Sequence, residues 1–221
     1  YQKRGIQAKF VGHPIFDEWS PNSKIDLCNI LGVDPTKPIM TLYPGSREQE
    51  LNRHLILFIE VAEKIRNKNQ DTQFIPGLAP GLDLSSFLIP DWLKIENKVP
   101  QKALECADFS LVASGSATLE AAVFCTPMVI VYKMATLSWM LSKVLVKTEY
   151  AGMVNIIAGK KIVPEYIQKE ATTKAISKEV LSIINNKEKY KNMKNELKNI
   201  QKKLKGKSAS KMAAEHILSL H

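Results

Sequence analysis

Residues 39–50 read Ile39-Met40-Thr41-Leu42-Tyr43-Pro44-Gly45-Ser46-Arg47-Glu48-Gln49-Glu50 and decide the fold class of this chain. The apolar stretch Ile39 to Leu42 has the character of a buried strand, and Pro44-Gly45 ends it. Ser46, followed three residues later by Gln49, has the spacing of a capping box, so a helix is expected to open at Ser46. That helix should carry Leu51, Leu55, Phe58, Ile59, Ala62 and Ile65 along one face. A second stretch repeats the arrangement: strand-like Phe109 to Ala113, the turn Ser114-Gly115-Ser116-Ala117-Thr118, then a helix to Phe124 closed by Thr126-Pro127. Each turn places unpaired backbone N–H groups and the positive end of a helix dipole at a strand exit, where an anion can sit. Two such turns in one domain point to a ligand that carries phosphates.

The same alternation extends outward. Thr72 to Ile75 reads as a strand ended by Pro76-Gly77, and the continuous apolar run Met128 to Tyr132 as a central parallel strand covered on both faces. A helix through Ile25, Leu27 and Ile30 should stop at Gly32, and Gln101 to Cys106 forms a short helix. Phe10-Val11 is expected to end a short strand before the turn Gly12-His13-Pro14, and helical patterns dominate from Thr136 onward. Strands alternating with helices argue an α/β fold, a Rossmann-like doubly wound parallel sheet whose ligands lie outside the carboxyl ends of its strands. Residues 1–14 then read as a lead-in and hinge, 15–170 as the ligand-binding domain, and 171–221 as basic C-terminal helices.

Composition narrows the class. With 221 residues and 45% apolar content the chain can bury a substantial core. No apolar run approaches the roughly 20 residues of a membrane-spanning helix. The start Tyr1-Gln2-Lys3-Arg4 has neither an apolar signal region nor an initiator Met, so a fragment of a longer protein is expected. Cys28, Cys106 and Cys125 are odd in number and widely spaced, which fits reduced thiols in a cytoplasmic protein rather than a disulfide framework or a zinc site. The net charge of +9 is concentrated between Lys187 and Lys211, where Tyr190, Met193, Leu197, Ile200 and Leu204 recur at helical spacing. A solvated helix face is the simpler reading of these lysines. An anionic partner is the other, and membrane headgroups fit better than nucleic acid because no nucleic-acid-binding motif accompanies the charge.

Within the two turns, Arg47 opposes the dipole of the helix it precedes, a conflict that a bound phosphate would offset. Glu120 has two readings, a first-turn acid that stabilises its own helix or an acceptor for the hydroxyls of a nucleotide ribose. No Asp-x-Asp pair is present, so neither a metal nor another cofactor is expected.

The segments 42–47 with Glu50, Ala107-Asp108, 114–122, 127–133, 155–159 and 163–168 resemble, in this order and spacing, those of bacterial lipid-A-disaccharide synthases. The resemblance runs from Phe10 to about Gln168 and implies the nucleotide-binding, C-terminal half of an inverting GT-B glycosyltransferase. Such an enzyme joins UDP-2,3-diacylglucosamine to 2,3-diacylglucosamine 1-phosphate, giving the β-1,6 lipid A disaccharide 1-phosphate and UDP. It would be cytoplasmic and peripherally bound to the inner membrane of a Gram-negative cell. The resemblance assigns Gly45, Ser46, Arg47, Ser114, Gly115, Ser116, Ala117 and Thr118 to the UDP diphosphate, with Arg47 stabilising the leaving group. It assigns Glu120 to the ribose, Asn155 to the side of the donor pocket, and Gln168 to a contributing position or to packing of a short helix. The general base and much of the acceptor site would come from an N-terminal half outside this sequence. A homodimer stays open and no nucleic-acid partner is implied. Ser116, Tyr43 and Met153-Val154 replace the family's usual Thr, Leu and Leu-Pro. Two other readings stand beside this one: another GT-B enzyme of UDP-sugars, such as the peptidoglycan N-acetylglucosaminyltransferase or UDP-N-acetylglucosamine 2-epimerase, and a non-catalytic membrane-binding module.

Overall fold

A computed structural model describes residue 5 and residues 8–135, 149–206 and 208–219. The strands are β1 (Ile39–Tyr43), β2 (Gln73–Pro76), β3 (Phe109–Ala113), β4 (Met128–Tyr132) and β5 (Glu165–Ile167). They pair entirely in parallel in the order β2-β1-β3-β4-β5. This is the expected doubly wound sheet. Its central strands are buried on both faces, which is why they read as unbroken apolar runs.

Helices α1 (Ile15–Glu18) and α2 (Lys24–Leu31) precede β1, and α3 (Glu48–Arg66), α4 (Pro100–Cys106) and α5 (Ala117–Val123) connect the first four strands. Alternate residues of β1 and β2 serve opposite faces. Met40, Leu42 and Phe74 join the cluster under α3, whereas Ile39 and Ile75 join the one under α2 and α4. Cys28 and Cys106 meet in that second cluster with their sulfurs 3.4 Å apart, and all three cysteines are buried and unbridged. Helix α2 is capped at both ends, by the Ser23 hydroxyl accepting from the Asp26 N–H and by Gly32 in the left-handed conformation. It buries Leu27, Cys28 and Leu31 and leaves Ile25 and Ile30 exposed, so its packed face is rotated from the one expected.

Helices α6 (Met153–Ala158), α7 (Thr173–Ile184), α8 (Lys187–Leu204) and α9 (Ala209–Leu218) complete the described part. The helical pattern expected from Thr136 falls partly on residues 136–148, outside the described residues. Beyond them the expectation missed β5, a three-residue edge strand whose residues are only half-buried and which has no apolar run to mark it. Phe10-Val11 forms no strand, and Phe10 is exposed. That segment instead meets the end of α8: the His13 N–H donates to the Leu204 carbonyl at 3.0 Å, and a Cβ at Gly12 would lie 2.7 Å from the Gly206 Cα. Asp17 of α1 accepts from the N–H groups of Ala209 and Ser210, both at 2.8 Å, and so caps α9 from a distance.

The basic helix α8 is amphipathic as expected. Met193, Leu197, Ile200 and Leu204 are buried in the main core, and the Tyr190 hydroxyl donates to the Asp108 carbonyl at 2.8 Å. Burial of such side chains stabilises by about 1.5–3 kcal/mol each, which is ample to seat this helix on its own domain. Among the described residues no helix is long and apolar enough to cross a membrane.

Candidate functional site

β1 and β3 lie side by side with Tyr43 opposite Val112, so the two glycine turns leave the sheet next to one another. Between them opens a cavity of about 340 Å³ lined by Tyr43, Gly45, Ser46, Arg47, Glu50, Ala79, Pro80, Pro100, Gln101, Ala113 to Ala117 and Glu120. The structure thus brings together eight of the sequence-predicted residues: Gly45, Ser46, Arg47, Ser114, Gly115, Ser116, Ala117 and Glu120.

The first turn is built differently from the expected capping box. Arg47, not Ser46, is the N-cap residue of α3, and it makes no side-chain cap. The Ser46 hydroxyl therefore stands one residue too early. Glu50 reaches back instead, its Oε2 accepting the Ser46 N–H at 2.8 Å, while its Oε1 lies 3.8 Å from the Arg47 guanidinium. Gly45 makes this possible. Its φ of +121° belongs to a backbone region that L side chains rarely adopt, and a Cβ there would collide with the Glu50 side chain. The Arg47 side chain is 82% exposed at the mouth of the cavity.

In the second turn, Ser114 Oγ donates to the Ala151 carbonyl and Thr118 Oγ1 donates to the Gly115 carbonyl at 2.9 Å. Thr118 is buried beneath the turn it shapes and does not line the cavity. The N–H groups of Gly45, Arg47, Gly115 and Ser116 have no protein acceptor among the described residues, and all four residues face the same cavity. Unpaired donors beside two helix starts and an exposed guanidinium make an anion-binding concavity.

Glu120, in the first turn of α5, stands across this cavity. Its Oε2 is buried and has no hydrogen-bond partner among the described residues, and burial holds its carboxyl above the ordinary value. Burial, with the nearby Glu120 charge second, pushes the Tyr43 phenol up as well. An acceptor kept unpaired in a half-dry site suits a ligand that brings hydroxyl donors.

Two sequence-predicted residues lie elsewhere. Asn155 is fully buried, and its amide is saturated. Nδ2 donates to the Val163 carbonyl and Glu165 Oε1, while Oδ1 accepts from the Ile162 and Val163 N–H groups. Glu165 in turn accepts from the Ala151 and Gly152 N–H groups, which steadies the segment that holds Ser114. Asn155 is therefore built in as a support behind the second turn, with no bonding capacity left for a ligand. Gln168 has a φ of +51°, begins a 3₁₀ turn, and bonds the backbone of Met134 through both ends of its amide at 3.2–3.3 Å. Its role here is to extend the β4–β5 pairing. Gln101, Pro80 and Glu50 also line the cavity and are not among the sequence-predicted site residues. Only Glu50 carried a signal, its position four residues beyond Ser46. Among the described residues no cluster of three or more His, Cys, Asp or Glu could hold a metal ion.

The family model for lipid-A-disaccharide synthetase matches residues 1–218. The chain belongs to that family. The lipid-A-disaccharide synthase of Coxiella burnetii (strain Dugway 5J108-111) is 37% identical over 190 residues, 84% of this chain and 50% of the relative. That of Syntrophotalea carbinolica is 33% identical over 210 residues, 92% of this chain and 54% of the relative. The chain thus spans about half the length of the curated relatives it matches. Among solved structures, WaaG, a glycosyltransferase involved in lipopolysaccharide biosynthesis, aligns with a TM-score of 0.61 at 13% identity over 94% of this chain and 55% of its own. The calicheamicin glycosyltransferase CalG4 aligns with a TM-score of 0.60 at 14% identity over 95% of this chain and 47% of its own. These likenesses give the fold, one half of a GT-B architecture. A putative UDP-N-acetylglucosamine 2-epimerase from Listeria monocytogenes shares it as well, with a TM-score of 0.50 at 14% identity over 76% of this chain and 41% of its own. Fold alone does not separate these families; the family match, to lipid-A-disaccharide synthetase, does. The family match also continues through the C-terminal helices, beyond the segments that carry the resemblance in the sequence.

The unpartnered Glu120 carboxylate yields a prediction. An acid whose folded-state pKa is raised loses stability for the fold as pH climbs above its ordinary value, here 4.5, through the raised one. Glu120→Gln keeps the shape and removes the charge, so it should stabilise the unliganded chain at pH 7 by roughly 1 kcal/mol, the scale on which burying a charged group costs more than burying a neutral one. The gain should shrink toward pH 4.5, as urea denaturation at the two pH values will reveal.

Proposed function

We propose that this chain is the nucleotide-binding half of a lipid-A-disaccharide synthase. The observation that carries the reading is the cavity between the two glycine turns, where unpaired N–H groups, Arg47 and the unpartnered Glu120 face one another. In this reading the turns 45–47 and 114–117 hold the diphosphate of UDP-2,3-diacylglucosamine, and Glu120 accepts the ribose hydroxyls. A facing half, which the relatives' greater length supports, supplies the general base and the site for 2,3-diacylglucosamine 1-phosphate.

The chemistry follows from charge. When the acceptor hydroxyl attacks the anomeric carbon from the face opposite the nucleotide, configuration inverts and the bond to the diphosphate breaks. Negative charge grows on the departing phosphate oxygens. Donors already aimed there, and an Arg47 guanidinium with little else to bind, stabilise that state more than the ground state. The isolated chain is expected to bind UDP in calorimetry without forming disaccharide, because half of the positioning is missing. Absence of UDP binding would overturn the nucleotide assignment. In the full-length enzyme, Arg47→Ala should lower kcat by about 100-fold or more, the scale of a charge-assisted transition-state contact, while the exposed position leaves the melting temperature almost unchanged.

Acylated substrates would draw this enzyme to an inner-membrane surface, and the lysines at the C-terminal end of α8 suit that location. Lys202, Lys203 and Lys205 are exposed, while the apolar stripe of the same helix is spent on the core. Each lysine near an anionic leaflet contributes on the order of 1 kcal/mol. Co-sedimentation with vesicles should rise with anionic lipid and fall with salt. Replacing these three lysines by Gln should weaken it and leave UDP affinity unchanged.

A further inference from the structure

Helix α3 buries one imidazole among its apolar side chains. His54 is fully enclosed between the turns that carry Leu51, Leu55 and Phe58, with its ring 5.9 Å from that of Phe58. Its Nδ1 lies 3.0 Å from the Pro44 carbonyl oxygen and 2.8 Å from that of Glu50. Its Nε2 lies 3.0 Å from the backbone nitrogen of Lys133. Two carbonyls can only accept and an amide N–H can only donate, so Nδ1 carries the proton and Nε2 the lone pair. The surroundings specify one neutral tautomer. Burial, reinforced by the Lys133 charge, holds this histidine below its ordinary 6.5, against the opposing pull of the two carbonyl bonds and the Glu50 carboxylate.

Two of the three partners follow different strands of the sheet. Pro44 begins the first glycine turn directly after β1, and Lys133 is the first residue after β4. β3, whose exit is the second glycine turn, lies between those strands in the sheet. The imidazole therefore bridges the strand exits on either side of β3 and ties both to α3. A Leu or Phe would fill the same volume. It would leave the Pro44 carbonyl and the Lys133 N–H without these partners, and the turn would have to shift to recover them.

We propose that His54 is a positioning residue for the anion-binding turn: by holding the Pro44 carbonyl to α3 and to the exit of β4, it sets Gly45, Ser46 and Arg47 where a nucleoside diphosphate binds. The diphosphate part of this inference rests on the nucleotide reading above; the holding of the turn does not.

Three substitutions separate the two bonds. His54→Phe removes both and keeps the ring. His54→Asn places an amide N–H near the Nδ1 position, able to donate to Pro44. His54→Gln places a carbonyl oxygen near Nε2, able to accept from Lys133. Three quantities are measured on each: the UDP dissociation constant, amide hydrogen exchange at Ser46, and the melting temperature. Phe and Gln should weaken UDP binding by about tenfold or more, and Asn should stay within about threefold of the parent. Exchange at Ser46, whose N–H is held by Glu50, should accelerate about tenfold in Phe and Gln but not in Asn. All three should melt lower, so a purely structural role would rank the variants by melting temperature instead. Unchanged exchange and affinity in folded His54→Phe, or losses that follow melting temperature alone, would overturn the proposal. If His54→Phe does not fold, equal behaviour of Asn and Gln does the same. If the parent chain binds no UDP, the nucleotide reading fails while the exchange data still decide the role of His54.

Discussion

The pairing of β1 with β3 is the constraint on which the rest of this molecule depends. These strands are neighbours in the sheet but not in the chain, and their parallel register sets Leu42 against Leu111 and Tyr43 against Val112. Parallel strands all exit on the same edge, so adjacent strands of matched register release their following turns side by side. Two segments that are each a common strand-to-helix turn become one cavity with donors on both walls. The opposite edge carries the structural fastenings. There Asp108 accepts from Lys24 and from the Ile39 N–H, which ties β3 to β1 and α2 at their amino ends.

Unmet interactions concentrate at the cavity, and satisfied ones surround it. Arg47 precedes a helix whose dipole opposes its charge, and among the described residues Glu120 Oε2 has no hydrogen-bond partner and the N–H groups of Gly45, Arg47, Gly115 and Ser116 have no acceptor. Just behind them, Asn155 makes four hydrogen bonds, Glu165 accepts three, and His54 satisfies two carbonyls and an amide. A site can stay poised in an unfavourable local state only where its supports over-determine it. In the proposed reading, the polar groups that look idle are those that a phosphate and a sugar engage. The ones that look chemically interesting but are saturated, Asn155 above all, keep the idle ones in place.

The C-terminal helices show the same division between packing and exposure. Met193, Leu197, Ile200 and Leu204 complete the core over the sheet, and the lysines of α8 remain outside. Contacts from Gly12, His13 and Asp17 then lock the chain's first described segment to the end of α8 and the start of α9. The basic surface is thereby presented by a rigid element.

By itself the sequence determined the elements with a strong local signal. The apolar runs of β1, β3 and β4, the helical stripe of α3 and α8, and the glycine turns were legible because strand and helix periods and φ-permissive residues are local properties. So was the family, since the order and spacing of several weak segments are specific together. Only the tertiary structure decided how the chain's polar groups are spent. Nothing near Glu165–Ile167 marks it as a strand, because an edge strand of three half-buried residues carries no apolar run. The shift of the helix start from Ser46 to Arg47 depends on Glu50 reaching back beneath Gly45. Asn155, Gln168 and His54 each find partners far along the chain, at Val163 and Glu165, at Met134, and at Pro44 and Lys133. Whether a buried amide or imidazole is a support or a ligand contact depends on those partners, and they are set by the order in which strands pair, which no local spacing encodes.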